Sequence, residues 1–184
     1  MSELVQALRR LEADVHSGGW DQRTRVFALA PFGDLASQQP ELVAGLRAQL
    51  AEEGVTVTDD LLVPIEQEWP FPDVELDDAL ARVEWPPKVQ AAEIVVERVI
   101  LPPEAEQEVA ELSDPVADPV QAVHEHPSAQ DVRMAVIAAR SGEHWCLIRA
   151  RSPQTDGDVP VPDQMYEAAD LVPGLIDALE QTFQ

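Results

Sequence analysis

Asparagine is absent from this chain, lysine occurs once, at Lys88, and cysteine once, at Cys146. A single cysteine excludes an internal disulfide and fits a reducing compartment. The lone lysine stands against eleven arginines. With asparagine also missing, that skew points to a GC-rich genome rather than to salt adaptation, because salt does not select against asparagine. No apolar run is long enough to span a bilayer. The opening stretch, MSELVQALRRLEADV, lacks the basic head and apolar run of a secretory signal, so a cytoplasmic location is expected.

Basic residues are scarce as a class: 12 stand against 35 acids, for a formal net charge of −23 and a pI near 4.2. Such a field repels phosphate backbones and anionic membranes, so neither nucleic acid binding nor membrane insertion is expected. It attracts a basic protein partner, or simply keeps the surface solvated. Signatures of chemistry are also missing. There is no GxSxG, no P-loop, no GxGxxG and no HExxH. The sequence therefore assigns no catalytic residue and no cofactor.

What is present is a globular pattern. The 184 residues are 45% hydrophobic and carry four tryptophans, which suits one domain with a sizeable core. The strongest stretch is Asp131–Ser152, DVRMAVIAARSGEHWCLIRARS. It reads as a β-hairpin, with Ser141-Gly142 as a two-residue turn. That turn sets Val136 opposite Leu147 and Met134 opposite Arg149. Both faces of the hairpin are then apolar, so it belongs inside a sheet covered on both sides. The pattern fixes the register weakly, because a slip by one residue exchanges faces without exposing much.

Ser2 is placed to cap a first helix, with Leu4, Leu8, Leu11 and Val15 as its apolar stripe. Strands are expected at Arg25–Pro31, Val55–Thr58, Leu62–Gln67 and Ala92–Leu101, with Pro64 confining the third to an edge or bulge. Helices are expected from Pro40, from about Asp73, from Asp118 and from about Asp170, where Pro173 suits an early position. The segment 102–118 is acidic and bounded by prolines, and reads as a loop. Residues 153–163 read as a surface loop. The sum is an α+β domain over residues 1–184, with a mixed or mainly antiparallel sheet and the hairpin 131–152 covered by helices.

Three sets of residues could carry chemistry. His124 and His126, with His144 and Cys146 further on, are metal-ligand types, yet no spacing fixes a third ligand. Histidines near a helix C-terminus also favour the helix dipole without any metal. Arg98, Arg133, Arg149 and Arg151 could bind a carboxylate or phosphate bidentately, or pair with the protein's own acids at the sheet edge. Glu66, Glu68, Glu97 and Asp77-Asp78 could form carboxylate pairs, but with 35 acids adjacency is expected by chance.

The stretches WDQRTRVFALAP, PIEQEWP, ARVEWPPKVQAAEIVVERVILPP, EHPSAQDVRMAVIAARSGEHWCLIRAR and DLVPGLIDAL, read together, resemble an uncharacterised actinobacterial family of small acidic proteins named after a propionibacterial hypothetical protein. The resemblance spans nearly the whole chain. It implies a soluble intracellular protein and carries no activity, cofactor or site residue onto these positions. The functional expectation is a non-enzymatic interaction, adaptor or chaperone-like protein with an acidic surface. The alternative is an enzyme or small-ligand binder with a cleft near His124, His126 and the hairpin arginines.

Overall fold

The computed structural model describes residues 2–69, 74–102, 104–105, 123, 126–152 and 161–184. Among these residues, six strands form one antiparallel sheet in the order β2-β1-β3-β4-β5-β6. They are β1 (Arg25–Pro31), β2 (Leu62–Gln67), β3 (Ala91–Ile100), β4 (Gln130–Ala139), β5 (His144–Ala150) and β6 (Gln164–Ala168). The helices with both ends among these residues are α1 (Glu3–Ser17), α2 (Phe32–Gln38), α3 (Pro40–Glu52), α4 (Leu76–Leu80) and α5 (Pro173–Gln181). The chain is an α+β domain, as its pattern predicts. The acidic segment and the helix expected from Asp118 fall almost wholly outside the described residues.

Helix α1 forms where the stripe requires it. Ser2 Oγ accepts a hydrogen bond from the Val5 amide at 3.4 Å, which satisfies one of the free N–H groups of the first turn. Leu4, Leu8, Leu11 and Val15 are all buried. They pack on one face of the sheet against Phe27, Val95, Ala135, Ile137 and Leu147. Full burial of one such leucine contributes roughly 1.5–3 kcal/mol. The other face carries Ile94, Val96, Val136, Ala138 and Cys146, covered by Leu80 of α4 and by Leu175, Ile176 and Leu179 of α5. A third cluster joins Phe32, Val43, Leu61 and Val63 beside β2.

The hairpin is β4–β5, with both faces covered, but its register differs by one residue from the one expected. Val136 stands opposite Cys146, Met134 opposite Ile148 and Arg133 opposite Arg149. The cause is the turn. The Gly142 amide donates to the Ala139 carbonyl at 2.9 Å and the Ala139 amide to Glu143 O at 2.8 Å. Gly142 has φ +86°. The loop is thus three residues, Arg140, Ser141 and Gly142, a tight turn followed by a left-handed glycine. The extra residue moves Trp145 and Leu147 to the α1 face and Cys146 to the α5 face.

Two other expectations change. Val55–Thr58 is not a strand, and Val55 and Val57 instead pack against the cluster around Phe32. Strand β6 goes unread in the sequence, because Gln164–Ala168 is short and its exposed residues include both Met165 and Tyr166. Pro64 does lie on an edge strand, since β2 ends the sheet on one side.

Candidate functional site

The register slip assembles a charged row across the α1 face. Glu97 of β3 stands opposite Arg133 of β4, Arg133 opposite Arg149 of β5, and Arg149 opposite Met165 of β6. Directly opposed like charges destabilise a sheet unless something intervenes. Here a carboxylate serves each guanidinium. Arg149 donates from Nε and Nη2 to the two oxygens of Glu12, at 2.7 and 2.6 Å. Arg133 donates from Nε and Nη2 to Glu97 Oε1 at 3.1 and 2.6 Å, and from Nη2 to the Gly19 carbonyl. Glu12 Oε1 also lies 4.0 Å from Arg133 Nη1. Arg133 is fully buried, a rare state for arginine that demands this pairing.

The row continues into the last turn of α1 and the residues after it. Arg133 Nη1 meets His16 Nδ1 at 3.2 Å. Glu97 Oε2 accepts from the amides of Asp21 and Gln22, at 2.8 and 3.3 Å. The Trp20 ring lies 4.7 Å from Arg133 Cζ and 5.4 Å from Arg151 Cζ, a cation–π stack between the two cations. Asp21, with φ +66°, turns its carboxylate to Arg151 Nη1 at 3.3 Å. Trp20 Nε1 donates to Asp163 at 3.1 Å, and the Ser152 amide donates to the same carboxylate at 2.9 Å. The arrangement ties α1, the hairpin base and the entry to β6 into one network. The hydrogen bonds from Arg149 to Glu12 push the arginine's pKa up, against the opposing effect of burial.

Of the four candidate arginines, the structure thus brings Arg133, Arg149 and Arg151 to one region and engages each with the protein's own acids. Arg98 is separate. Strand alternation sets it with Ile94 and Val96 toward the α5 side. His124 lies outside the described residues. His126 Nδ1 accepts from the Ser128 amide at 3.1 Å. His144 lies 2.8 Å from Glu180 of α5. Among the described residues, no group of three or more His, Cys, Asp and Glu side chains could hold a metal ion. Cys146 is buried, and that burial pushes its thiol pKa up.

The candidate carboxylates separate likewise. Glu66 forms a bidentate pair with Arg25 at 2.8–2.9 Å, which holds its pKa below the usual range. Glu97 belongs to the charged row, while Asp77 and Asp78 are exposed in the first turn of α4.

Two acids in the core escaped the sequence reading. Glu12 is 1% exposed, and Glu93 is fully buried with neither carboxyl oxygen bonded. Burial, reinforced by the nearby charge of Glu12 and opposed by Arg10, pushes Glu93 well above the usual carboxylate range. The signal was available. Glu12 falls within the α1 stripe, four residues from Leu8 and three from Val15. Glu93 alternates with Ala91 and Val95 inside an apolar strand.

The fold and its internal charged row define a class: an antiparallel α+β sheet protein with ion pairs bridging one helix to the sheet. A family model described as PPA1309-like protein matches residues 4–184, and the chain belongs to that family. No curated protein and no solved structure matches it. Among the described residues, no helix is long and apolar enough to cross a membrane.

Proposed function

We propose that the protein is a non-enzymatic cytoplasmic interaction module, an adaptor or chaperone-like protein that receives an extended basic segment of a partner along strand β6. The carrying observation is the contrast between the two sheet edges. Edge strand β2 holds Pro64, which offers no amide to an incoming strand. Edge strand β6 holds no proline and exposes Met165 (51%) and Tyr166 (52%). Exposed apolar side chains on an edge that pairs with no further strand among the described residues suit strand addition, in which backbone hydrogen bonds bind and side-chain contacts select.

Charge supports the choice of partner. From Ser152 to Gln184 the chain holds seven acids and no lysine or arginine. The net charge of −23 draws a lysine- or arginine-bearing strand to the protein, whereas nucleic acids and anionic membranes are repelled. The hairpin arginines are held in ion pairs by acids of the same protein, and the excess of acids over bases leaves the field negative.

A second reading, a small-ligand or catalytic site at the hairpin base, draws on an open cleft of about 510 Å³ lined by Pro127, Ser128, Gln130, Asp131 and Arg151. It is the weaker reading, since Arg151 already bonds Asp21 and Asp131 there.

The test is calorimetric titration with a short peptide that alternates valine and lysine. The proposal expects saturable binding that weakens with added salt and is lost in the double variant Met165→Lys, Tyr166→Lys. Absence of binding, or equal binding by that variant, would refute it.

A further inference from the structure

In a chain with so few bases, the partners of the arginines are informative, and Arg82 too has one. Arg9, Arg10, Arg25, Arg133, Arg149 and Arg151 each form an ion pair with an acid of the same chain. Arg140 donates to the carbonyls of Trp85, Pro86 and Val89, and Arg47 lies over the Phe32 ring. Arg23 and Arg98 differ. Neither forms an ion pair within 4 Å among the described residues, and Arg98 makes one hydrogen bond, from Nη1 to the Glu97 carbonyl at 3.1 Å. Both are exposed, and both line one cleft of about 580 Å³.

The position of that cleft follows from the sheet. Arg98 continues the β3 face that holds Ile94 and Val96, beyond the point that α5 covers. Thr24, Trp69 and Leu76 line the cleft with the two arginines. Arg98 also lines an adjoining cleft of about 280 Å³ whose apolar wall includes Val96, Met134 and Leu175. Glu75 lines both. Arg98 thus lines two clefts, each with apolar side chains in part of its wall.

We propose that the clefts at Arg98 bind a small organic monoanion, a single carboxylate carried on an apolar chain. The guanidinium of Arg98 offers the planar fork that a carboxylate takes bidentately. Arg23 and the Thr24 hydroxyl add donors at the mouth, and the apolar walls take the chain. The charge number follows from the surroundings. Glu75 and Asp77 in the lining and the −23 net charge of the protein disfavour phosphate and other multivalent anions, so a single negative charge is the most that the two arginines can hold.

The test uses octanoate as the probe, titrated into the full chain by calorimetry and followed by tryptophan fluorescence, with octanol and inorganic phosphate in parallel. Octanoate is expected to saturate a single site, and Arg98→Gln to weaken it by at least about tenfold. Arg23→Gln is expected to weaken it less, and Glu75→Gln to tighten it. Arg98 is exposed, so its variant should keep the wild-type circular dichroism spectrum. The proposal is overturned if octanoate fails to saturate at millimolar concentration, if octanol or phosphate binds as tightly, or if Arg98→Gln binds as the wild type does.

Discussion

Arg133 and Arg149 stand directly opposite each other on neighbouring strands, and a different carboxylate holds each one. Glu97 of β3 takes Arg133 from within the sheet, and Glu12 of α1 takes Arg149 from above. Helix α1 is therefore fixed to the sheet by a buried ion pair as well as by its leucines.

The two halves of that pair are not equivalent. Glu12→Ala leaves Arg149 buried without a carboxylate and is expected to cost about 3–5 kcal/mol. Arg149→Met leaves Glu12 with Arg133 at 4.0 Å, so its cost is expected to be smaller. The double variant Glu12→Leu, Arg149→Met should recover most of the loss, because matched apolar groups replace a desolvated pair. Denaturant midpoints of the three variants check this order.

Glu93 gives a pH signature. Its folded pKa lies above its unfolded value, so between the two the folded state binds the extra proton. Its contribution to stability is fully present below the unfolded carboxylate pKa and is lost as pH rises through the folded value. Glu93→Gln removes that titration. The variant is expected to gain stability over the wild type as pH rises from mildly acidic to alkaline, with the difference shrinking toward pH 4. Thermal melts across that range measure it, and a difference independent of pH would contradict the assignment.

Gly142 sets the hairpin register through its left-handed φ of +86°. A Cβ there meets nothing within 4 Å, so only backbone strain opposes substitution. Gly142→Ala is expected to cost roughly 1 kcal/mol and Gly142→Asn less, because asparagine tolerates this conformation. Denaturation of both variants tests the ranking.

Much of this fold was legible because its signals are periodic. The stripe of α1, the run of β3 and the two-sided hairpin each declare their element. The register of the hairpin was not legible, since both faces are apolar and one residue in the turn decides it. That single residue also hid the charged row, as it turns Arg149 from Met134 toward Arg133. Strand β6 was hidden for the opposite reason. An edge strand with one neighbour needs no alternation, and QMYEA shows none. Of the candidate arginines, the sequence gathered four as one group, whereas strand alternation turns Arg98 to the other face from Arg133 and Arg149.

Docking of a basic partner strand on β6 is read residue by residue by amide hydrogen exchange. With the alternating valine–lysine peptide at saturating concentration, new protection is expected at Gln164–Ala168 and none at Leu62–Gln67, where Pro64 guards the opposite edge. Protection at β2 instead of β6, or exchange unchanged along both edges, would contradict it.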